Sequence, residues 1–232
     1  MIRGSSITRF LWNPVLRFLR NEVPILPRNE VPILPRNYVP MLITIFGTKG
    51  SQGKSTLSHA IAYEKGFGII TNDIDSSVDE FLPEERVIKL RNDDKFPEIP
   101  EDVWVVFDGK AGIDEPVVKE AIKRADWVIV PTIYGVEELK RCLREIHQVE
   151  KLNRKIVVVA NSMKASEFEE VKAILAGECD HPVFFIRNSR FVAEMLFIPE
   201  SIETKFKRWG LTAYALKDIR EQFRMLFEHL GL

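Results

Sequence analysis

Seven apolar runs punctuate the chain, at 42–46, 67–71, 86–90, 103–107, 127–131, 155–160 and 182–186. Two of them, Trp104-Val105-Val106-Phe107 and Ile156-Val157-Val158-Val159, carry no polar interruption, as strands covered on both faces do. Between the runs, apolar positions recur every three or four residues and predict helices near 54–65, 115–124, 136–151, 166–176 and 189–197. A last helix over 212–230 would set Tyr214, Leu216, Ile219, Phe223, Leu226, Phe227 and Leu230 on one stripe, with Thr212 as its cap. Such alternation predicts an α/β domain with a mostly parallel twisted sheet and helices on both faces. Ligands in these sheets bind beyond the carboxyl ends of the strands.

The pattern begins only at Met41. Before it, "RNEVPILP" stands at 20–27 and again at 28–35, and decays into "RNYVPMLI" at 36–43. Proline at a fixed phase excludes a helix or a central strand, so these octads read as an extended or disordered arm. The preceding "MIRGSSITRFLWNPVLRFLR" is Arg-rich and free of acids, compatible with a membrane-surface helix or a transit-like segment. The reading preferred here is a dispensable leader over 1–40 and a functional domain over 41–232, with Met41 as its start.

At 232 residues and 45% apolar content the chain can bury one substantial core. Its 33 basic and 34 acidic groups nearly balance, but residues 1–40 hold six Arg and two Glu while the remainder holds 27 basic and 32 acidic groups. An acidic body is no general polyanion binder, so any nucleic-acid contact must come from a local patch. Cys142 and Cys179 form no C-x-x-C pair, which speaks against a metal or iron–sulfur site and for reduced thiols in a cytoplasmic protein. No apolar run approaches the ~20 residues of a membrane span.

The chemistry gathers at strand ends. Behind the run 41–46 comes "GTKGSQGKST" at 47–56, a glycine-rich turn opening a helix. Gly50, Ser51, Gln52 and Gly53 would turn their backbone N–H groups toward an anion, with the helix end and Thr56 behind them. Lys54 would reach the β- and γ-phosphates of a nucleotide, and Ser55 would offer its hydroxyl to Mg²⁺. The usual G-x-x-x-x-G-K-[ST] pattern nevertheless fails at its first glycine, where Thr48 stands, and a second lysine, Lys49, lies inside the loop. The second strand ends in "TNDIDSS", where Asp73 and Asp75 share a face of an extended segment. One would serve the Mg²⁺ shell and the other an attacking water; ordinary turn chemistry is the competing reading. "VWVVFDGKAG" closes an apolar strand on Asp108, placed to hold Mg²⁺ through water, with Gly109 and Gly112 in the loop behind it.

Together these residues resemble the ParA/MinD family of deviant Walker ATPases, over roughly 41–230. The family's loop, x-K-G-G-x-x-K-[ST], matches Thr48 to Ser55 everywhere except Ser51, which stands for its second glycine. The resemblance makes Lys49 the signature lysine, which in the family reaches across an ATP-sandwiched homodimer to the partner's phosphates. It makes Asp75 the second Asp of the D-x-D switch, with Ser76-Ser77 replacing the family's Pro-Gln, and Asp108 the Walker B carboxylate. "DWVIVPT" at 126–132 resembles the family's strand ending in Pro, and "VVVANS" at 157–162 puts Asn161 where adenine contacts are usual. "FFIRNSRFVAEM" at 184–195 resembles the adenine-side loop, with Arg187 in place of a usual proline.

The expected activity is therefore a Mg²⁺-dependent ATP hydrolase in which Lys49, Lys54 and Asp75 are catalytic, and Ser55, Asp73 and Asp108 serve the metal. Within the family the ParA branch fits best. The mixed charges Lys217, Asp218, Arg220, Glu221, Arg224 and Glu228 make the last helix a solvated core helix rather than a basic membrane anchor. That branch implies ATP-dependent dimerisation, loose non-specific binding to DNA, and stimulation by a ParB-like or other small DNA-binding adaptor, in a cytoplasmic, nucleoid-associated protein. Candidate DNA contacts are Arg187, Arg190, Lys205, Lys207 and Arg208, though the same charges also read as scattered solvating groups. The alternatives are a small-molecule kinase or ligase of the same fold, and a MinD-like membrane-associated positioning ATPase.

Overall fold

The computed structural model describes residues 40–91, 93–110, 112–194, 200–208, 214 and 216–232. The leader and its octads lie outside the described residues, apart from Pro40 and the last three residues of the third octad. Those three, Met41 to Ile43, already belong to the first strand.

All seven expected strands form: β1 (Met41–Ile45), β2 (Gly68–Thr71), β3 (Val87–Lys89), β4 (Trp104–Asp108), β5 (Trp127–Thr132), β6 (Ile156–Met163) and β7 (Val183–Arg187). They make one sheet in the order β3-β2-β4-β1-β5-β6-β7, and every neighbouring pair is parallel. The helices are α1 (Lys54–Lys65), α2 (Val78–Phe81), α3 (Pro116–Arg124), α4 (Val136–Glu150), α5 (Ala165–Glu178), α6 (Arg190–Ala193), α7 (Ile202–Arg208) and α8 (Lys217–Leu230).

Strand alternation divides the core into two layers. Leu42, Phe46, Val105, Phe107, Val128, Val130, Val158 and Ala160 face α3, α4 and α5. Ile43, Ile45, Val106, Ile129, Val157 and Val159 face α1 and α8. On α8, Ile219, Phe223, Leu226 and Leu230 are at most 1% exposed. Each such side chain contributes about 1.5–3 kcal/mol of apolar transfer, which is why this helix is held to the sheet.

Several boundaries differ from expectation for identifiable reasons. The strand expected from 86 begins at Val87, because Arg86 turns inward and donates to the carbonyls of Ala62 and Phe67 at the end of α1. The helix expected over 189–197 is α6, ending at Ala193, and 195–199 lie outside the described residues. The helix expected from 212 begins at Lys217; Thr212 lies outside the described residues. Tyr214, expected on its buried stripe, precedes the helix and is 81% exposed, since helical spacing does not govern a residue ahead of the first turn. The short α2 and α7 and a 3₁₀ turn at Glu84–Arg86 carry too few residues for a period to be read.

Candidate functional site

Strand β1 is the middle of the sheet, and the chain leaves its carboxyl end through the loop Gly47–Gly53 into α1. Gly53 adopts φ +88°, and a Cβ there would lie 1.9 Å from the Asn161 amide nitrogen, so only glycine fits. Ser51 also takes a left-handed conformation, φ +65°. The serine standing for the family's second glycine thus accepts the glycine-type backbone, at a cost of about 1–2 kcal/mol for an L-residue. Nothing lies within 4 Å of where a Cβ on Gly50 would be, so the middle of the loop faces open space.

That space is a cavity of about 500 Å³. Gly50, Ser51, Gly53, Lys54, Ser55 and Thr56 line it from the loop and α1, Thr71, Asp73 and Ser76 from β2 and its loop, and Asp108, Gly109 and Lys110 from the end of β4. Asp108 is buried, with Ser55, Ser58 and Lys54 acting on its carboxylate. Burial pushes its carboxyl above the usual range, against the opposing pull of Ser55 and Lys54. Burial likewise pulls the Lys54 ammonium below its ordinary value, partly offset by Asp108, Glu145 and Asp73. The ammonium donates to the Lys49 carbonyl at 2.7 Å, which holds it across the loop.

The donor set fits a hard divalent cation: a hydroxyl and carboxylates, all oxygen. Among the described residues no group of three or more His, Cys, Asp or Glu could hold a metal by itself. A Mg²⁺ ion here would draw its remaining ligands from phosphate oxygens and water, as this ion usually does.

Of the residues expected in the site, Gly50, Ser51, Gly53, Lys54, Ser55, Thr56, Asp73 and Asp108 share this one cavity. Asp75 sits at its edge with its side chain 83% exposed. Lys49 points away, into an ion pair with Glu138 on α4 at 2.6 Å. Gln52 is fully buried, with its side-chain amide packed beneath Gly47, and it does not line the cavity. Asn161 is also buried and donates to the Gln52 carbonyl at 3.0 Å, bracing the loop from β6. Arg187 is half-buried at the end of β7, where its backbone N–H donates to the Gln222 side chain.

The basic residues proposed for DNA are not all at the surface. Lys205 is a correction: it is 1% exposed, stacked over Phe191 and donating to the Glu194 carbonyl, so its charge cannot meet a polyanion at the surface. Arg190 is exposed but paired with Glu194. Lys207 is exposed, and the side chain of Arg208 lies outside the described residues.

Three contributors escaped the sequence reading. Glu138 and Glu145 lie two turns apart on the buried face of α4, beside Leu139, Cys142, Ile146 and Val149. A charged residue on an apolar stripe is the signal that would have marked them. Lys110, inside "DGKAG", is the third, and its partners are two loops away in the chain. Cys142, on the same face, has its thiol pushed up to about 12 by burial, which leaves it an inert core residue.

The all-parallel sheet, with a glycine loop leading from its central strand into a helix, defines a P-loop type α/β fold. It is the fold of the ParA/MinD group of deviant Walker ATPases. An ATP complex of McdA from Cyanothece shares it with a TM-score of 0.59 at 12% identity, over 84% of this chain and 98% of that one. A plasmid partition protein from Borrelia burgdorferi bound to AMPPNP matches with a TM-score of 0.55 at 14% identity, over 80% of this chain and 99% of that one. The cell division protein MinD from Aquifex aeolicus matches with a TM-score of 0.54 at 16% identity, over 81% and 97%. No family model and no curated protein matches the sequence. Among the described residues no helix is long and apolar enough to cross a membrane.

Proposed function

We propose that this protein is a positioning ATPase of the ParA/MinD type, binding ATP with Mg²⁺ in the cavity at the end of β1. The carrying observation is the buried Asp108 carboxylate beside the exposed Ser55 and the Lys54 ammonium, at the N-terminus of α1 and behind a loop open to solvent. The loop N–H groups and Lys54 bind phosphate oxygens, since both are donors at a positive helix end. Ser55 and Asp108 would hold Mg²⁺, with Asp73 beside them, and the ion when bound would supply positive charge against the transferred phosphoryl group. Asp75, exposed at the cavity edge beside Lys110, orients the attacking water. Neighbours solved with ATP and AMPPNP support a nucleotide in this place.

In the fuller form of the reading, ATP drives formation of a homodimer in which Lys49 reaches the partner's phosphates. The dimer then binds DNA loosely and turns over when a ParB-like or other small adaptor stimulates it, in the cytoplasm on the nucleoid. Arg190 and Lys207 are the exposed candidates for DNA, joined by Arg187 and Arg208. The adenine is held near Asn161 and Arg187.

Gel filtration and DNA binding, each with and without ATP, test it. Dimer and DNA retention should both require ATP, and the retention should fall steeply with salt. Lys54→Ala should abolish nucleotide binding, and Asp75→Ala should keep it while losing turnover. Wild-type ATP affinity in Lys54→Ala removes the site assignment; an ATP-bound monomer with no DNA affinity points to a small-molecule enzyme instead.

A further inference from the structure

The loops after β2 and β4 face each other across the cavity mouth, and one residue joins them. The backbone N–H of Lys110 donates to the Asn72 side chain at 2.6 Å. Its ammonium donates to Asp73 Oδ1 at 2.9 Å and lies 3.7 Å from Asp75 Oδ2. The same Asp73 oxygen accepts the Asp75 backbone N–H at 3.2 Å. Lys110 thus holds in one contact set the carboxylate proposed for the metal shell and the one proposed for water. The ammonium is also half exposed and lines the cavity with Lys54, Ser55 and Asp108.

Asp73 and Asp108 line this cavity with Asp75 at its edge, and Lys54 is occupied by the Lys49 carbonyl. Lys110 supplies the counter-charge at Asp73 and Asp75. Its backbone is pinned by Asn72, but a four-carbon stem lets the ammonium leave while the loop stays.

The geometry points to Lys110 as a tethered cation that competes with a divalent metal ion for Asp73, and so positions Asp73 and Asp75 until the metal arrives. This rests on the site reading above. With an ion bound at Asp73, the Lys110 ammonium would be displaced by like-charge repulsion, and its contact with Asp75 would be released at the same time. Lys110 is a positioning residue, acting through the two aspartates.

Mn²⁺ binding to the nucleotide-free protein, followed by electron paramagnetic resonance, tests the competition without nucleotide or turnover. A unit positive charge held a few ångströms from a divalent ion opposes it by roughly tenfold in affinity, even near water. Lys110→Gln should therefore bind Mn²⁺ about tenfold more tightly than wild type. Lys110→Arg should return to the wild-type value, and Asp73→Asn in the Lys110→Gln background should remove the gain. Equal Mn²⁺ affinity in wild type and Lys110→Gln overturns the proposal, as does a gain that survives Asp73→Asn. ADP binding measured in EDTA separates a direct phosphate contact: a loss in Lys110→Gln as large as that in Lys54→Ala makes Lys110 a phosphate ligand and overturns the competition. Failure of the site reading shows elsewhere, as unchanged ADP affinity in Lys54→Ala.

Discussion

One carboxylate oxygen of Glu145, on α4, accepts both the backbone N–H of Thr48 at 2.6 Å and the Thr48 hydroxyl at 2.5 Å. The start of the phosphate-type loop is therefore held by a residue 97 positions away that is only 1% exposed. Glu138, two turns earlier on α4, takes the Lys49 ammonium in the same way. The loop is clamped from α4 on one side and from Asn161 of β6 on the other.

Removing the clamp should loosen the loop. Glu145→Ala leaves the Thr48 N–H without its acceptor, a loss of about 1–3 kcal/mol for a part-buried donor. The expected result is a lower melting temperature and ADP affinity weakened several-fold. Glu145→Gln retains an acceptor and should do less on both counts. Melting curves and ADP titrations of the two variants decide it; a Glu145→Ala protein indistinguishable from wild type would show that the loop holds its own shape.

Lys49 separates a sandwich dimer from an ordinary monomeric P-loop enzyme. Its ammonium is turned to Glu138 rather than into its own cavity, so in one chain it has no phosphate to serve. Lys49→Gln should leave ADP binding near normal while costing ATP-dependent dimerisation, hydrolysis and DNA retention, because a charge-assisted contact to the partner's nucleotide is lost. Light scattering with ATP in an Asp75→Ala background makes the comparison. If both forms remain monomeric, the dimer model fails.

Stability should fall in mild acid through His59. Its ring is 3% exposed, packs edge-on near Tyr63 and Phe81, and burial lowers its pKa from 6.5 to about 4. The folded state keeps it neutral while the unfolded chain binds a proton below pH ~6.5, so its contribution is full above that pH. As pH falls from 6.5 toward about 4 that contribution is lost, at ~1.4 kcal/mol per pH unit and so by roughly 3 kcal/mol in all. Urea midpoints at pH 7 and pH 5 should diverge less in His59→Phe than in wild type. Equal divergence in the two proteins excludes His59 as the source.

A chain beginning at Met41 should fold and hydrolyse ATP normally. Strand β1 starts at that residue, and its partners β4 and β5 both lie later in the chain. Circular dichroism and ATP turnover on residues 41–232 check this; loss of either shows that the preceding segment packs on the domain.

Much of the fold was written in consecutive residues. The inner strands announced themselves because they are buried on both faces, which favours apolar runs such as Val157-Val158-Val159, whereas the edge strands β3 and β7 are only partly buried. The loop at 47–55 was equally local: glycine turn, lysine and hydroxyl follow one another, and α1 begins at the expected Lys54. Asp73 and Asp108, which line the cavity, were legible as candidates because strand ends mark themselves by a change from apolar to polar.

The rest depends on which elements meet. Lys205 and Lys207 read alike as solvating charges in "KFKRWG", yet the fold turns the first over Phe191 and leaves the second in water. Glu145 reads as one more helix carboxylate until α4 sets it under Thr48. Lys110 gains its meaning only because β4 lies directly between β1 and β2, bringing the loop after Asp108 against Asp73. Periodicity and turn chemistry are properties of neighbouring residues, so the sequence carries them openly. Contacts across the order β3-β2-β4-β1-β5-β6-β7 join residues dozens of positions apart, and only the packed sheet decides them.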